Sequence, residues 1–339
     1  MASDDDELNK IDTLDGRYKC EFTIKKLIGQ GAFGKVYIVK HNVDEKQYAI
    51  RKIKVDGRNA GVNQYVTKTI RGLQTWAQLA DNNSIVEFFG AWFEWSANNK
   101  ERPQLIYYIQ TELCWFSLAD VFGKMRHTFG RQPSQLWPVV GYFMAAELFR
   151  EILEALDYLH TGSQPAIIHR DIKPTNILIR QHPVGRFVKI GDFGLSKEHP
   201  EQSMSHSQNV GTDKFMAPEV KRSRKYGTKA DIYSLGMVNV ELFNMDVNRF
   251  SKQTIVDNKL GRLYKIMYDL IVNQQNGSSD SRMSCRELLA DKPNWYLNCM
   301  DIVDDIHQII DMENSMNYDY HDNFVEYFVQ AKFCYYNNC

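Results

Sequence analysis

The sequence lacks long apolar runs and has no excess of either charge, and each absence excludes a class of protein. No apolar stretch approaches the roughly 18 residues that a membrane-spanning helix needs. The chain carries 41 basic and 42 acidic side chains, so no overall field attracts nucleic acid or anionic lipid. A short basic run, residues 221–225, is better explained as a solvated surface loop. With 339 residues, 43% of them hydrophobic, the chain is predicted to be a packed globular protein with room for two cores.

Cysteine is sparse and shows no paired spacing. The six cysteines, scattered without a Cys-x-x-Cys pattern, are Cys20, Cys114, Cys285, Cys299, Cys334 and Cys339. This distribution predicts reduced thiols rather than a disulfide framework or a zinc site. Four of the first seven residues are acidic, and this segment does not resemble a secretory signal peptide. We therefore expect a cytoplasmic protein that has neither a membrane nor a nucleic acid as its partner.

Two short motifs follow each other in the middle of the chain. The first, residues 169–176, reads His-Arg-Asp-Ile-Lys-Pro-Thr-Asn, and the second, residues 192–194, reads Asp-Phe-Gly after a strand-like run. Phosphoryl transfer needs a group that takes or orients the proton of the attacking hydroxyl, and oxygen ligands for a metal on the nucleotide phosphates. The two motifs in this order resemble the catalytic segment of eukaryotic protein kinases. That resemblance implies that Asp171 is the base and that Asn176 and Asp192 hold the metal.

A glycine-rich segment near the start, residues 28–37, reads Ile-Gly-Gln-Gly-Ala-Phe-Gly-Lys-Val-Tyr. Glycines allow backbone N–H groups to approach phosphates closely. The Gly-x-Gly-x-x-Gly pattern also occurs in dinucleotide-binding turns, but those turns continue as a helix, with an acidic residue about 20 positions later. Here residues 35–39 are β-branched and strand-like. The pattern therefore favours a β-hairpin, and it resembles the glycine-rich loop that covers the phosphates of ATP in protein kinases.

Further segments resemble kinase motifs in the expected order. Residues 211–219 resemble the end of an activation segment, which includes Thr212 and Glu219. Asp231 lies where kinases place the aspartate that anchors the catalytic loop, and Arg282 lies where they place the partner of Glu219. The resemblance covers residues 18–290. Residues 89–94, 109–114 and 188–195 are most similar to the kinases that phosphorylate the alpha subunit of eukaryotic initiation factor 2.

The resemblance implies an α+β, bilobal protein-kinase fold with a small β-rich N-lobe, a helical C-lobe and extra C-terminal helices. Its implied domains are a flexible acidic arm (1–17), the N-lobe (18–111), the hinge and C-lobe (112–290) and a helical C-terminal extension (291–339). ATP and Mg²⁺ (or Mn²⁺) are the implied cofactors, bound between the lobes. The residues implied to bind ATP are Ile28, Gly29, Gly31, Gly34, Val36, Ala49, Arg51, Thr111, Glu112, Cys114, Leu178 and Asp192. Those implied to carry phosphate transfer are Asp171, Lys173 and Asn176, with Asn176 and Asp192 as metal ligands.

One departure from the family lies on the predicted third strand, at Arg51. Kinases place there the lysine that grips the nucleotide phosphates and pairs with a glutamate from the next helix. Arginine keeps the charge, but its planar fork is not a conservative replacement at a close phosphate contact. Lys52 is one residue further along the strand, so it points to the opposite face and cannot take over the role.

The expected glutamate is also missing, because no Asp or Glu occurs between Gly57 and Ala80. Anchoring the helix on Trp76 puts Gly72 at the glutamate position, with Gln64 and Gln74 as the nearest polar alternatives. Deliberate inactivation would normally change the lysine alone. The loss of both partners therefore favours natural divergence over an engineered Arg51.

The last part of the chain contains two apolar stripes at helical spacing. Ile302, Val303, Ile306, Ile309 and Ile310 form one stripe, and Phe324, Val325, Phe328 and Ala331 form the other. Packing of two helices on the large lobe is the favoured interpretation, and a partner-binding element is the alternative. In the initiation-factor kinases a helix after the Asp231 helix docks the substrate, but the matching segment here, residues 244–262, is short and polar.

Two functions remain open at this stage. The first is transfer of the γ-phosphate of ATP to Ser or Thr of a protein substrate, in a regulatory role, which the intact residues Asp171, Lys173, Asn176 and Asp192 favour. Lys173 with Thr212 favours Ser or Thr over Tyr as acceptor, by resemblance. The second is a pseudokinase that acts as an allosteric or decoy partner of a related kinase, which Arg51 and the missing glutamate favour. A homodimer through the N-lobe is a further arrangement that the resemblance leaves open.

Overall fold

The computed structural model describes residues 16–31, 34–56, 70, 72–79, 82–95, 104–180, 185–193, 214–222, 226–250, 259–276, 278–306 and 324–337. These residues form two compact units. The first unit contains the described residues up to Cys114 together with Phe193, and the second contains Trp115–Asp192 and the described residues from Lys214 onward.

The first unit is built on a five-stranded antiparallel sheet. Its strands, in spatial order β1-β2-β3-β5-β4, are β1 (Phe22–Gly31), β2 (Gly34–His41), β3 (Gln47–Asp56), β4 (Phe88–Trp95) and β5 (Gln104–Glu112). The short helix α1 (Arg17–Glu21) precedes β1, and residues 72–78 are helical. In the hairpin of β1 and β2, Gly31 pairs with Gly34. The hairpin predicted from the glycine-rich segment is therefore confirmed.

An aromatic layer covers one face of this sheet. Tyr18 of α1 stacks on Tyr108 with ring centroids 4.6 Å apart, and Trp92 stacks on the same ring at 5.2 Å. Glu94 ties α1 to this layer, because its Oε1 accepts from the backbone N–H of Tyr18 and from Trp92 Nε1, both at 2.7 Å. Burial in the layer, with Tyr37 and Glu94 nearby, raises the pKa of Tyr18 to about 12.

The second unit is mainly helical. Its described helices are α2 (Leu118–Thr128), α3 (Val139–Thr161), α4 (Pro218–Arg222), α5 (Lys229–Leu242), α6 (Val247–Phe250), α7 (Lys259–Asn276), α8 (Cys285–Ala290), α9 (Lys292–Trp295) and α10 (Phe324–Asn337), with 3₁₀ turns at Ser279–Ser281 and Cys299–Ile302. A three-stranded sheet has the order β6 (Phe116–Ser117), β7 (Ile177–Ile179), β8 (Val188–Ile190). Among the helices of the described ranges, none is long and apolar enough to cross a membrane.

Helix α3 is the central element of the second unit. The apolar stripe that predicts it, Leu148, Ile152, Leu156 and Leu159, is fully buried. The helix ends at Thr161, a few residues before the His-Arg-Asp motif. The prediction of a core helix that delivers the chain to this motif is therefore confirmed.

The C-terminal helix α10 packs on the second unit through its predicted apolar face. Phe324, Val325 and Phe328 are buried, and the ring of Phe328 lies 4.6 Å from that of Phe187. In the preceding stripe Ile302 and Ile306 are buried, whereas Ile309 and Ile310 lie outside the described residues. The described part of both stripes supports the favoured interpretation, packing on the large unit.

A buried charge cluster accompanies this packing. Lys332 of α10 pairs with Glu147 at 3.0 Å and with Glu151, and all three side chains are at most 1% exposed. Arg150 Nη2 and the Tyr336 hydroxyl also donate to Glu147, at 2.9 and 2.8 Å. Burial alone would raise the pKa of Glu147, but Lys332 and Arg150 outweigh it and hold that pKa at about 2.

This pKa makes the cluster sensitive to acid. The folded pKa of about 2 lies below the ordinary value of 4.5, so the stabilisation is present above pH 4.5 and is lost as the pH falls towards 2. We expect the difference in unfolding free energy between wild type and Glu147→Gln to shrink by about 1 kcal/mol from pH 6 to pH 3.5. Urea unfolding at several pH values measures this difference in unfolding free energy. A difference that stays constant or grows as the pH falls would contradict the low pKa of Glu147.

Candidate active site

The residues of the first predicted motif lie on a loop between α3 and β7, called here the Asp171 loop (residues 169–176). Asp231, fully buried at the start of α5, holds its backbone. The carboxylate accepts from the backbone N–H groups of His169 and Arg170, both at 2.8 Å, and lies 2.9 Å from His160 Nε2. Burial opposes ionisation of Asp231, but the hydrogen bond and charge of His160 outweigh it and lower the pKa.

Three predicted residues meet at the Asp171 carboxylate. Its Oδ2 accepts from Lys173 Nζ at 2.7 Å and from Asn176 Nδ2 at 2.9 Å. Asn176 Nδ2 also donates to the Asp171 carbonyl at 2.9 Å. The carboxylate is therefore held in one orientation, with a cation and an amide on the same oxygen. Both hydrogen bonds of Asn176 are donated by its nitrogen, and its carbonyl oxygen is of the type that Mg²⁺ binds.

Asp192 is connected to the Asp171 loop through the neighbouring Gly191. The Gly191 N–H donates to the backbone carbonyl of Asn176 at 3.0 Å. The backbone carbonyl of Gly191 lies 2.9 Å from His169 Nε2. A carbonyl can only accept, so Nε2 carries the proton. Asp192 itself has φ 72°, which a residue with a side chain rarely adopts and which persists only where the surroundings fix it.

The pair predicted further along the chain is also formed. Arg282 Nη2 donates to Glu219 Oε2 at 3.1 Å, and Arg282 Nη1 donates to Glu219 Oε1. Burial opposes the charge of Glu219, but the hydrogen bond from Arg282 lowers its pKa. Thr212, the other predicted residue of the activation segment, lies outside the described residues, as does most of that segment.

In the first unit, the sheet brings the predicted nucleotide residues into register. Val36 pairs with Arg51, and Ala49 pairs with Thr111, whose hydroxyl lies 3.5 Å from the Ala49 carbonyl. Gly29 and Gly31 lie on β1, where Ile28 is 46% exposed. These pairings place the predicted nucleotide residues on the adjacent strands β1, β2, β3 and β5.

Arg51 and Lys52 lie on opposite faces of β3, as the alternation of a strand predicts. Lys52 Nζ lies 5.4 and 5.5 Å from the ring centres of Tyr18 and Tyr108, inside the aromatic layer. Burial lowers the pKa of Lys52. These cation–π contacts hold Lys52 within the aromatic layer, on the face of β3 opposite Arg51.

The helix at residues 72–78 carries two of the three positions that the sequence offers for the expected glutamate, Gly72 and Gln74. Trp76 is buried and packs its ring on Phe88 and Phe193, with centroids 5.6 and 5.8 Å apart. Gly72 precedes Trp76 by one helical turn and shares its face, whereas Gln74 is exposed. Gln64 lies outside the described residues. The geometry therefore favours Gly72 as the position on the packed face.

The remaining residues predicted to bind ATP are Glu112, Cys114 and Leu178, and their burial differs. The Glu112 side chain is buried, and its Oε1 accepts from the Glu87 N–H at 2.8 Å. It is therefore a structural side chain, and the Glu112 backbone N–H also donates to the Glu87 carbonyl at 3.0 Å. Cys114 is half-buried, and Leu178, on β7 opposite Lys189, is also half-buried. The role of His160 at Asp231 was missed from the sequence, since no local pattern marks it.

Comparison with known proteins gives the family. The protein kinase domain family matches residues 22–307. The interferon-induced, double-stranded RNA-activated protein kinase of Mus musculus is 30% identical over 251 residues, which cover 72% of this chain and 44% of that protein. The eIF-2-alpha kinase GCN2 of Arabidopsis thaliana is 28% identical over 327 residues, which cover 82% of this chain and 24% of that protein. The chain belongs to the protein kinase family, and its predicted similarity to eIF-2-alpha kinases is confirmed.

Other kinase groups match as well. Serine/threonine-protein kinase Nek4 of Mus musculus is 27% identical over 277 residues, which cover 78% of this chain and 31% of that protein. The chain spans less than half the length of these three relatives. The α+β fold expected from the sequence is confirmed by the antiparallel sheet of the first unit and the helices of the second.

The hairpin contains one glycine that no other residue can replace without strain. Gly34 has φ +106°, and a Cβ built there would lie 2.3 Å from the Lys52 carbonyl oxygen. A Cβ at Gly31 would meet nothing within 4 Å. We expect Gly34→Ala to lower the unfolding free energy by about 1–3 kcal/mol, the cost of a strained backbone.

The control is Gly31→Ala in the same hairpin, which should change the unfolding free energy by less than about 1 kcal/mol. Urea unfolding without nucleotide measures both effects separately from ligand binding. Equal losses in the two variants would show that the close approach of Gly34 to β3 does not form in solution.

Proposed function

We propose that the chain is an Mg-ATP-dependent protein kinase that phosphorylates Ser or Thr of a protein substrate, in a regulatory role. The observation that carries this proposal is the Asp171 carboxylate, held by Lys173 and Asn176 on a loop anchored by Asp231. Proton handling needs a base in a fixed orientation within reach of the attacking hydroxyl. The acceptor type is supported by Lys173 and by relatives that are named serine/threonine-protein kinases.

The metal would be shared between the chain and the nucleotide. In the part of the chain that the structure describes, no group of three or more His, Cys, Asp or Glu could hold a metal ion alone. Mg²⁺ is commonly bound by one or two protein oxygens together with substrate phosphates. Asn176 and Asp192 supply oxygens of this kind, and they fit the ion. When bound, Mg²⁺ would neutralise the charge that develops on the transferred phosphate.

The residues of this chain would divide the remaining work. Asp171 accepts or orients the hydroxyl proton of the substrate, and Lys173 stabilises charge beside it. Gly29, Gly31 and Gly34 present backbone N–H groups to the phosphates. Arg51 supplies the positive charge on β3, with a bulkier head group than lysine.

A pseudokinase remains the second candidate, carried by Arg51 and by the absence of Asp and Glu between Gly57 and Ala80. Without that carboxylate, the pairing that positions the β3 cation in active kinases cannot form with this helix. In this candidate the chain binds nucleotide and acts as an allosteric or decoy partner of a related kinase. A homodimer through the first unit would serve either function. Cys285 and Cys299 are buried thiols outside any disulfide, as expected in a reducing compartment such as the cytoplasm.

The first expectation concerns nucleotide binding. Because the metal shares the phosphate charge, ATP should raise the melting temperature only with Mg²⁺ or Mn²⁺ present. At 100 times the dissociation constant, the stabilisation should be about 2.7 kcal/mol. Asp192→Asn is the matched variant, and it should lose the metal-dependent part. No shift of folded wild type at millimolar Mg-ATP would refute binding.

The second expectation concerns rate. A phosphate displaced by ~1 Å costs on the order of 10²-fold in transfer rate. Arg51→Lys alone should restore little, because no carboxylate holds the new lysine. Arg51→Lys with Gly72→Glu should exceed the product of the two single effects, since the residues would couple.

Arg51→Lys with Gln74→Glu is the control for this coupling, because Gln74 lies on the exposed face of the same helix. Steady-state transfer rates decide the comparison. Full recovery from Arg51→Lys alone would show that the glutamate position is irrelevant here.

The third expectation concerns the substrate. In the segment that matches the docking helix of initiation-factor kinases, Phe250 is only 3% exposed and stacks on Tyr268 at 5.0 Å. Arg249 is exposed beside Asp246. The described part of this segment thus offers a charged surface without an apolar anchor for an interface centre.

We therefore expect the initiation-factor alpha subunit to bind with a dissociation constant weaker than about 1 μM. Titration calorimetry with wild type and Arg249→Ala measures it; Phe250 is unsuitable for substitution because it is part of the core. Binding at 1 μM or tighter that is lost in Arg249→Ala would restore a role in general translational control.

A further inference from the structure

Helix α10 contacts the chain next to two segments that the proposed function uses. The ring of Tyr327 lies 5.8 Å from that of Trp115, which directly follows Cys114. Phe324, Tyr327 and Phe328 surround Phe187, with centroids at 6.3, 6.1 and 4.6 Å. Phe187 directly precedes β8, and β8 leads through Gly191 to Asp192.

Strand β8 depends on a side chain for part of its hydrogen bonding. Within the described residues, it lies at the edge of its sheet and pairs with β7. The N–H groups of Phe187 and Val188 both donate to Glu151 Oε2, at 2.7 and 2.8 Å. Buried backbone N–H groups require an acceptor. Glu151 of α3 is therefore the partner that fixes the start of β8.

The Glu151 carboxylate in turn requires a cation, because it is 1% exposed and a buried charge must be paired. Lys332 of α10 donates to its other oxygen, Oε1. Arg150 Nη2 lies further away, at 3.7 Å, and donates to Glu147. Lys332 is thus the direct ionic partner of Glu151 and orients its carboxylate.

We propose that Lys332 is a positioning residue for Asp192. It acts through Glu151 on β8, and β8 sets the backbone that holds Asp192 at its unusual φ. The consequence for metal and nucleotide rests on the proposed function. The C-terminal helix is then part of the phosphate-transfer machinery of the second unit, although α10 lies beyond the residues that match the kinase family.

Hydrogen exchange of the full chain, read by mass spectrometry, tests the link without any nucleotide. In Lys332→Met, we expect amides of residues 187–192 to exchange about tenfold faster or more, while amides of α5 keep their wild-type rate. Tyr336→Phe is the matched control, because it removes a donor from the same helix and cluster that reaches Glu147 but not Glu151. In Tyr336→Phe, the amides of residues 187–192 should exchange at the wild-type rate.

A second-site change distinguishes charge pairing from lost packing. In Lys332→Met with Glu151→Gln, the amide oxygen can still accept from both N–H groups and no charge is left unpaired. Protection of residues 187–192 should return to within about threefold of wild type. If Lys332→Met does not fold, Lys332→Gln, which keeps a donor for Glu151, takes its place with the same expected direction.

Binding of Mg-ADP adds the functional readout. Lys332→Met should weaken Mg-ADP by about tenfold and adenosine by less than twofold, since only the metal-bearing ligand depends on Asp192. Unchanged exchange at residues 187–192, or an equal increase throughout the second unit, would overturn the proposal. If wild type binds no Mg-ADP, the proposed function fails, and the exchange result alone still decides whether Lys332 controls β8.

Discussion

The Asp171 loop in the second unit depends on the hydrogen bonds that the buried carboxylate of Asp231 accepts. It accepts from two successive backbone N–H groups of the Asp171 loop and from His160 at the end of α3. Arg170 has φ 71°, a conformation that costs about 1–3 kcal/mol and needs such an anchor. Asp231 lies on α5 and its partner His160 lies on α3. The packing of these two helices therefore fixes the orientation of Asp171.

Asp192 is supported in a comparable way by contacts that involve another residue of α3, Glu151. Glu151 holds the start of β8, and Lys332 of the C-terminal helix neutralises Glu151. The first unit differs, since Arg51 stands where the resemblance implies a lysine, and no Asp or Glu occurs between Gly57 and Ala80. There β3 carries Arg51 on one face, while Lys52 serves the aromatic layer on the other. In the function that we propose, proton handling and the metal oxygens are retained, and the cation that positions the phosphates is arginine instead of lysine.

The sequence predicted the elements whose signals are local. The stripe of Leu148, Ile152, Leu156 and Leu159 identified α3, and the glycine-rich pattern identified the β1–β2 hairpin, because periodicity and turn residues lie within one element. The ion pairs of Lys332 were not predicted, since Glu147 and Glu151 are remote in sequence and look like the polar face of a helix. The burial of Phe250 was not predicted either, since its partner Tyr268 lies on a different helix and only the packed structure brings the two rings together.

Transfer of labelled γ-phosphate to a Ser/Thr protein substrate, compared between wild type and Asp171→Asn, tests the central claim most directly. The account predicts slow transfer by wild type, on the order of 10²-fold below an ordinary kinase rate of 1–100 s⁻¹. That transfer should disappear in Asp171→Asn while Mg-ATP binding persists. Equal background signal from the two proteins, with Mg-ATP bound by both, would contradict a working kinase and establish the pseudokinase.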